Sequence, residues 1–259
     1  MPESLSTEKP ARFILPPAKV EPSQRWVRVK FGGVILADSK HPLLLINYGR
    51  MVLPTYYFSA TDVRLDLLGS ASKITADKEY FDLKVGDKVA ERAAWLYHDP
   101  PENLKALKGY YSFEWNTMDG WFEEEEEIFA HARDPYKRVD VMPSSRHVEV
   151  IINGLKVADT HRPHLLFETH LPPRFYIPRE DVRMDLMQPE TTHTICPYKG
   201  VASYWSVQSG NTFNKNIAWS YLDPIPQQPA LKELICFYNE RVDLVVDGDK
   251  LDRPLTPFS

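Results

Sequence analysis

A chain of 259 residues has room for one large domain or two of about 100–150 residues, and its 43% hydrophobic and 26% charged content is that of an ordinary soluble globular protein. A formal net charge of -5 argues against a general nucleic-acid binder, which carries a basic excess, and no apolar run approaches the roughly 18–20 residues of a membrane helix. Two cysteines, Cys196 and Cys236, do not make a disulfide framework, so a reducing, cytoplasmic location is expected.

The first stretch, residues 1–24, contains five prolines and no apolar core for a signal peptide, and reads as a flexible or extended arm. Beyond it the chain repeats itself. Val27-Arg28-Val29-Lys30-Phe31-Gly32-Gly33-Val34-Ile35-Leu36-Ala37-Asp38-Ser39 returns as Val148-Glu149-Val150-Ile151-Ile152-Asn153-Gly154-Leu155-Lys156-Val157-Ala158-Asp159-Thr160. Asp62-Val63-Arg64-Leu65-Asp66-Leu67 returns as Asp181-Val182-Arg183-Met184-Asp185-Leu186, and Ala94-Trp95-Leu96-Tyr97-His98-Asp99-Pro100 as Ala218-Trp219-Ser220-Tyr221-Leu222-Asp223-Pro224. The blocks keep their order and their offsets drift by only a few residues, as loop insertions produce. A polar break at Met142-Pro143-Ser144-Ser145 places the domains at residues 25–143 and 144–259.

Each half predicts β structure. Asn153-Gly154 between alternating apolar residues is the strongest short hairpin signal, because both turn positions need positive φ, and Gly32-Gly33 does the same in the first copy. Asp247-Gly248 predicts another hairpin, with Met118-Asp119-Gly120-Trp121 as its counterpart. Only residues 101–108 and their partners 229–233 look briefly helical. The expected architecture is all-β: two tandem homologous small sandwiches or open barrels.

An ordered set of motifs then stands out: Val157-Ala158-Asp159, Phe175 to Val182, Thr194-Ile195-Cys196-Pro197-Tyr198-Lys199-Gly200, Ala218 to Tyr221, and Phe237 to Asp243. Together they resemble the DUF427 family, over nearly all of the second half and more weakly over the first. The resemblance implies a β-tent type all-β fold and no established biochemical role. A nucleotidyltransferase-like label is sometimes attached to the family, but nucleotidyl transfer needs carboxylates that hold Mg²⁺ against phosphates. Here Gly69-Ser70 is followed by Ala71-Ser72-Lys73, Asp66 and Asp185 each stand alone, and no glycine-rich phosphate loop occurs.

Aligning the halves places the candidate site in the second. Cys196-Pro197-Tyr198-Lys199 falls opposite Thr75-Ala76-Asp77-Lys78, Glu168 opposite Asn47, Arg174 opposite Thr55 and His193 opposite Ser72, so the second copy holds polar chemistry that the first lacks. A fold requirement appears in both copies; groups in one copy only are freer to be functional, or to be drift. Cys196 near Lys199 or His193 can favour a thiolate, although a Cys before Pro is also a common small buried hydrophobe. Tyr198 and Lys199 serve one cavity only if their segment is a turn, since adjacent strand residues face opposite ways. Glu168 and His170 would share a strand face as an acid–base or metal pair. A zinc site needs further ligands, which Cys196 or His193 would have to supply, and surface histidines are the default, so no metal site and no cofactor are expected. Asp62/Arg64 and Asp181/Arg183, at i, i+2 in both copies, read as same-face structural charge pairs. Trp95/Trp219 and Tyr97/Tyr221 suit a core or a ligand wall equally. Tyr204 and Trp205 are the more discriminating aromatics, with Leu83 and Lys84 opposite them. The run Glu123 to Glu127 reads as a solvated edge or loop.

The expected function is that of a small-molecule-binding protein acting as a cofactor-independent enzyme on an organic metabolite, by isomerisation, dehydration or hydrolysis. Its site lies in the second domain or between domains. Glu168, His193, Cys196 and Lys199 would carry the chemistry, with Arg174, Tyr176, Tyr198, Trp205, Trp219 and Tyr221 binding substrate. The alternative is a non-catalytic interaction or stress-related scaffold. No nucleic-acid or membrane partner is expected, and a homodimer is left open.

Overall fold

A computed structural model describes residues 16–49, 52–256 and 258–259. It divides into two compact units, one ending at Pro135 and the other beginning at Tyr136. Both are built almost wholly from antiparallel strands with short 3-10 turns, as the alternating patterns predict. Among the described residues no helix is long and apolar enough to cross a membrane.

In the second unit, a seven-stranded sheet runs in the order Val139–Pro143, His164–Glu168, Arg174–Ile177, Ile235–Phe237, Thr212–Pro224, Gly200–Ser209, Met187–Cys196. A four-stranded sheet takes Leu155–Thr160, Val148–Ile152, Asp243–Val246 and Asp249–Lys250. Because strand side chains alternate between faces, Phe175 and Ile177 pack with Val150, Val157, Val207 and Leu244 in the core between the sheets. Their neighbours Tyr176, Tyr204, Trp219, Tyr221 and Cys236 form a separate cluster on the opposite face of the larger sheet. The first unit repeats the plan: Tyr57, Tyr97 and Trp95 lie on the corresponding outer face.

Register moves two expected boundaries. Val139–Pro143 pairs with His164–Glu168 (Val141 opposite Leu166), so it is the first strand of the second unit rather than the end of the first. Its counterpart Lys19–Pro22 pairs with Leu43–Ile46, with Val20 opposite Leu45. The expected arm at residues 1–24 therefore contains a sheet strand, since four extended residues beside an exposed sheet edge satisfy their backbone groups by pairing there. The arm's residues 1–15 lie outside the described residues.

Turn chemistry is as predicted at both first hairpins, with φ of 59° and 81° at Gly32-Gly33 and 49° and 80° at Asn153-Gly154. The two copies differ at the first position for a packing reason. A Cβ on Gly32 would sit 2.6 Å from Val85 Cβ, whereas Asn153 finds room and donates through Nδ2 to Ser209 Oγ at 2.7 Å. The counterpart of Asp247-Gly248 is not Met118 to Trp121 but the turn at Glu124-Glu125. Gly120–Glu123 pairs with Glu126–Ile128 there, and Trp121 is the buried centre of that strand. The acidic run is accordingly split: Glu124 to Glu127 are exposed, but Glu123 is buried, accepts from Tyr56 Oη at 2.7 Å and pairs with Arg25. Trp121 is 1% exposed and stacks on Trp115 at 4.1 Å and 2°. Trp121→Ala is expected to cost the first unit about 3–5 kcal/mol, read as a lowered denaturant midpoint.

The 3-10 turns also re-sort the repeated charges. Asp62 and Asp181 sit in 3-10 segments, where residues two apart no longer share a face. Asp62 accepts from Ser39 Oγ and Asp181 from Thr160 Oγ1, while the arginines pair forward, Arg64 with Asp66 and Arg183 with Asp185. Their role is structural, through different partners.

Candidate functional site

The outer face of the seven-stranded sheet carries a buried charge cluster. Glu168 ends its strand, two residues beyond Leu166 and on the same face. Its Oε2 accepts from Lys199 Nζ at 2.5 Å, and its Oε1 lies 3.0 Å from Lys137 Nζ. Side-chain exposures of 8% for Glu168, 10% for Lys199 and 13% for Lys137 make this a desolvated group of two ammoniums around one carboxylate. Burial opposes the charge on Glu168, but Lys199 and Lys137 outweigh it and hold the carboxyl below its usual range. Burial likewise works against the Lys199 ammonium, and Cys196 and Glu168 more than offset it, so its pKa is raised. Both groups are therefore ionised at neutral pH.

Lys199 reaches this position because Pro197-Tyr198-Lys199 is a turn, closed by Lys199 N–H donating to Cys196 O at 3.2 Å. Gly200 follows at φ 108°, where a Cβ would meet Asp223 O and Ile225 N at 3.3 Å. The turn lets Cys196 and Lys199 address the same face, where the Cys196 thiol is among the groups that raise the Lys199 pKa. Tyr198 is half-buried, its ring centroid 5.9 Å from Lys137 Nζ.

Aromatic side chains extend the face. Trp219 Nε1 donates to Tyr176 Oη at 3.1 Å, the two rings lying edge to face at 6.3 Å and 89°. Thr194 Oγ1 and Tyr204 Oη are 2.9 Å apart, and Tyr238 packs on Trp219 at 4.6 Å. Burial holds the Tyr176 and Tyr221 phenols well above their ordinary pKa. Beside them Arg174 forms a two-pronged ion pair with Glu240, both bonds 2.7 Å, and Thr256 Oγ1 donates to Glu240 at 2.5 Å. Arg174 is thus held by a carboxylate of its own chain rather than poised for a substrate anion.

Seven of the expected site residues, Glu168, Arg174, Cys196, Lys199, Tyr176, Trp219 and Tyr221, meet on this one face. His193 does not. It pairs in register with Ser203, between Ala202 and Tyr204, and so points to the other side, where it is exposed. Trp205 likewise faces the inter-sheet core, donating to Ser220 Oγ at 3.2 Å beneath Arg179. Strand alternation dictates both outcomes. His170 is in a turn at φ 65°, not on a strand face with Glu168.

Sequence reasoning missed Lys137, which lies ahead of the polar break at Met142-Pro143-Ser144-Ser145 and so fell in the first domain, and Glu240 and Tyr238, although both stand within the Phe237 to Asp243 motif. Register also corrects the comparison of copies. Tyr80 opposes Trp95 as Tyr204 opposes Trp219, and Lys78 opposes Tyr97 as Ala202 opposes Tyr221. Tyr204 and Trp205 thus correspond to Tyr80 and Phe81, and Thr194 to Thr75, so Lys199 stands in a turn longer than the one at Ala76-Asp77 and has no counterpart there. Continued along the strands, the register sets Pro16 and Asn47 against Lys137 and Glu168. The whole ionic trio belongs to the second copy alone.

A family model described as a domain of unknown function, DUF427, matches residues 19–124 and again 140–248. The chain belongs to the DUF427 family. No curated protein matches it significantly. The two matched segments begin at the Lys19–Pro22 and Val139–Pro143 strands, so a DUF427 domain takes in the edge strand that composition alone left out. The second DUF427 domain is the one that carries the ionic trio.

The two thiols of that domain differ. Cys236 is fully buried, and burial pushes its pKa up to about 12, whereas Cys196 is half-buried. Native protein treated with iodoacetamide is expected to label at Cys196 first, by peptide mass mapping. Labelling at Cys236 at an equal rate would contradict the burial.

Proposed function

We propose that the second DUF427 domain binds an organic metabolite with a carboxylate or carbonyl group and acts on it by proton transfer without a cofactor. What carries this reading is the desolvated Lys137–Glu168–Lys199 trio, present in one copy of a duplicated fold and absent from the other. Two lysines converge on one buried carboxylate, and ammonium groups so placed suit an anionic or developing anionic oxygen. The aromatic face formed by Tyr176, Trp219 and Tyr221 supplies apolar contact area.

Glu168 held ionised is a weak base while both lysines flank it. A substrate anion that draws one lysine away raises its basicity, so binding itself would arm the carboxylate. Lys199, held protonated, then serves as the acid or as the holder of the developing oxyanion, with Tyr198 and Cys196 beside it in the turn.

One observation favours the alternative, a non-catalytic scaffold in which the trio is structural. Glu168 and Lys199 are nearly closed to solvent, and the neighbouring recess, lined by Val139, Val141, Gln228 and Pro229 among others, does not include them. A thermal-shift screen of the full chain against small carboxylates and carbonyl metabolites separates the readings, since a ligand of the native state raises the melting temperature. Stabilisation by a ligand, lost in Lys199→Met and Glu168→Gln, supports binding. NMR-detected solvent deuterium uptake into that ligand, absent with either variant, supports proton transfer. No ligand shift across the panel, or shifts that survive both variants, would leave the scaffold reading.

A further inference from the structure

At the open end of the first hairpin of the second unit, His147, Asp159 and His161 gather their side chains on one sheet face. The register explains why. Val148 pairs with Thr160, so His147 and His161, one step further out, face each other across the hairpin, and Asp159 lies two residues back on the same side. His147 Nε2 is 2.7 Å from Asp159 Oδ1, and the two imidazoles stack at 4.1 Å and 11°. One ligand atom from each residue lies within 4.8 Å of those of the other two.

The first copy shows what this geometry does without imidazoles. Trp26 Nε1 donates to Asp38 Oδ1 at 2.6 Å, and Lys40 Nζ lies 5.4 Å over the Trp26 ring. An N–H on the first position held by the aspartate, with the third side chain laid over it, is therefore common to both units and is satisfied by tryptophan and lysine. Nothing in that structural role calls for two histidines. In the second unit the same frame presents two imidazole nitrogens and a carboxylate oxygen, a donor set for borderline divalent cations.

We propose that His147, Asp159 and His161 form a three-ligand site for a divalent transition cation such as Zn²⁺ or Ni²⁺, with the remaining positions open to water or an incoming ligand. The bond lengths of about 2.0–2.2 Å such ions demand require the donor atoms to readjust around a common centre, and the two rings to turn out of their stack. His161 and Asp159 are exposed and His147 half-buried, so side-chain rotation achieves this on a fixed backbone. Lys156 Nζ holds the other carboxylate oxygen at 2.8 Å and also pairs with Glu149. This orients Asp159 as an outer-shell partner does, while its charge lowers affinity and keeps the site weaker than a closed structural zinc centre.

Calorimetric titration of the full chain with Zn²⁺ and with Ni²⁺ tests the site. Loss of even an outer-shell partner costs about 10–100-fold in affinity. His147→Gln, His161→Gln and Asp159→Asn are each expected to weaken binding at least ~10-fold by that standard, whereas His193→Gln and His170→Gln leave it unchanged. A gain of site in the first unit supplies an independent arm: Trp26→His with Lys40→His, beside Asp38, is expected to add a second equivalent of bound Ni²⁺. Wild type binding no more tightly than His147→Gln/His161→Gln would overturn the proposal. So would equal weakening by His193→Gln, or a grafted variant that still binds one equivalent.

Discussion

Glu168→Gln is expected to destabilise the second unit by about 3–5 kcal/mol, the cost of removing one side of a buried ion pair. Lys199 would remain desolvated beside a neutral amide that cannot balance its charge, and Lys137 would lose its ion pair with the same carboxylate. Urea unfolding of wild type and variant measures the loss. Replacing the whole trio by Lys137→Met, Glu168→Leu and Lys199→Met should recover much of it, because apolar side chains of similar volume carry no desolvation penalty. The pH dependence has a definite sign. The Glu168 carboxyl is held below its ordinary 4.5, so its contribution is complete above that pH and disappears as pH falls through the lower folded value. Lys199 is held above 10.5, so its contribution is complete below that pH and is lost as pH rises through the higher folded value. The gap between wild type and Glu168→Gln should therefore be widest between these limits and narrow at both ends. A gap that stays constant into acid would mean that Glu168 titrates normally.

The second large effect is expected at Glu240→Ala, again about 3–5 kcal/mol. Arg174 and Glu240 are 7% and 1% exposed in their side chains, and the arginine has Trp219 and Phe258 rings within 6 Å of its guanidinium. Truncating the glutamate leaves that guanidinium buried with no counter-charge, and it also frees Thr256, which ties the chain end to Glu240. Arg174→Met/Glu240→Met should cost less than either single change, since the pair is removed together with its desolvation penalty. Denaturant midpoints of the three variants decide it. A double variant as unstable as the sum of the singles would show that packing, not charge, dominates at this position. Because Arg174 lies in the same aromatic cluster as Trp219 and Tyr176, ligand binding in the second domain is best compared in variants that leave this pair intact.

Much of the fold is legible in the sequence, because it depends on local rules. Duplication showed as ordered blocks, β structure as alternation, and the two-residue hairpins as Gly32-Gly33 and Asn153-Gly154, whose positive φ few other residues tolerate. The family resemblance rested on residues that the family match then covered. Local rules end where pairing begins. Lys19–Pro22 and Val139–Pro143 look like arm and linker until they find a sheet edge, since a short strand is stabilised by its partner rather than by its own composition.

The site divides along the same line. Composition and the comparison of copies determined that unusual polar chemistry sits in the second half, around Glu168, Cys196 and Lys199. Tertiary structure alone decided which of those groups meet. Alternation along the strands turned His193 and Trp205 away, a turn swung Lys199 back toward Glu168, and Lys137 arrived from a segment that had no pattern to recommend it. The physical reason is that a one-residue step in a strand reverses a side chain's direction, whereas contact across a sheet depends on register between segments far apart in the chain. Neither is fixed by residue type.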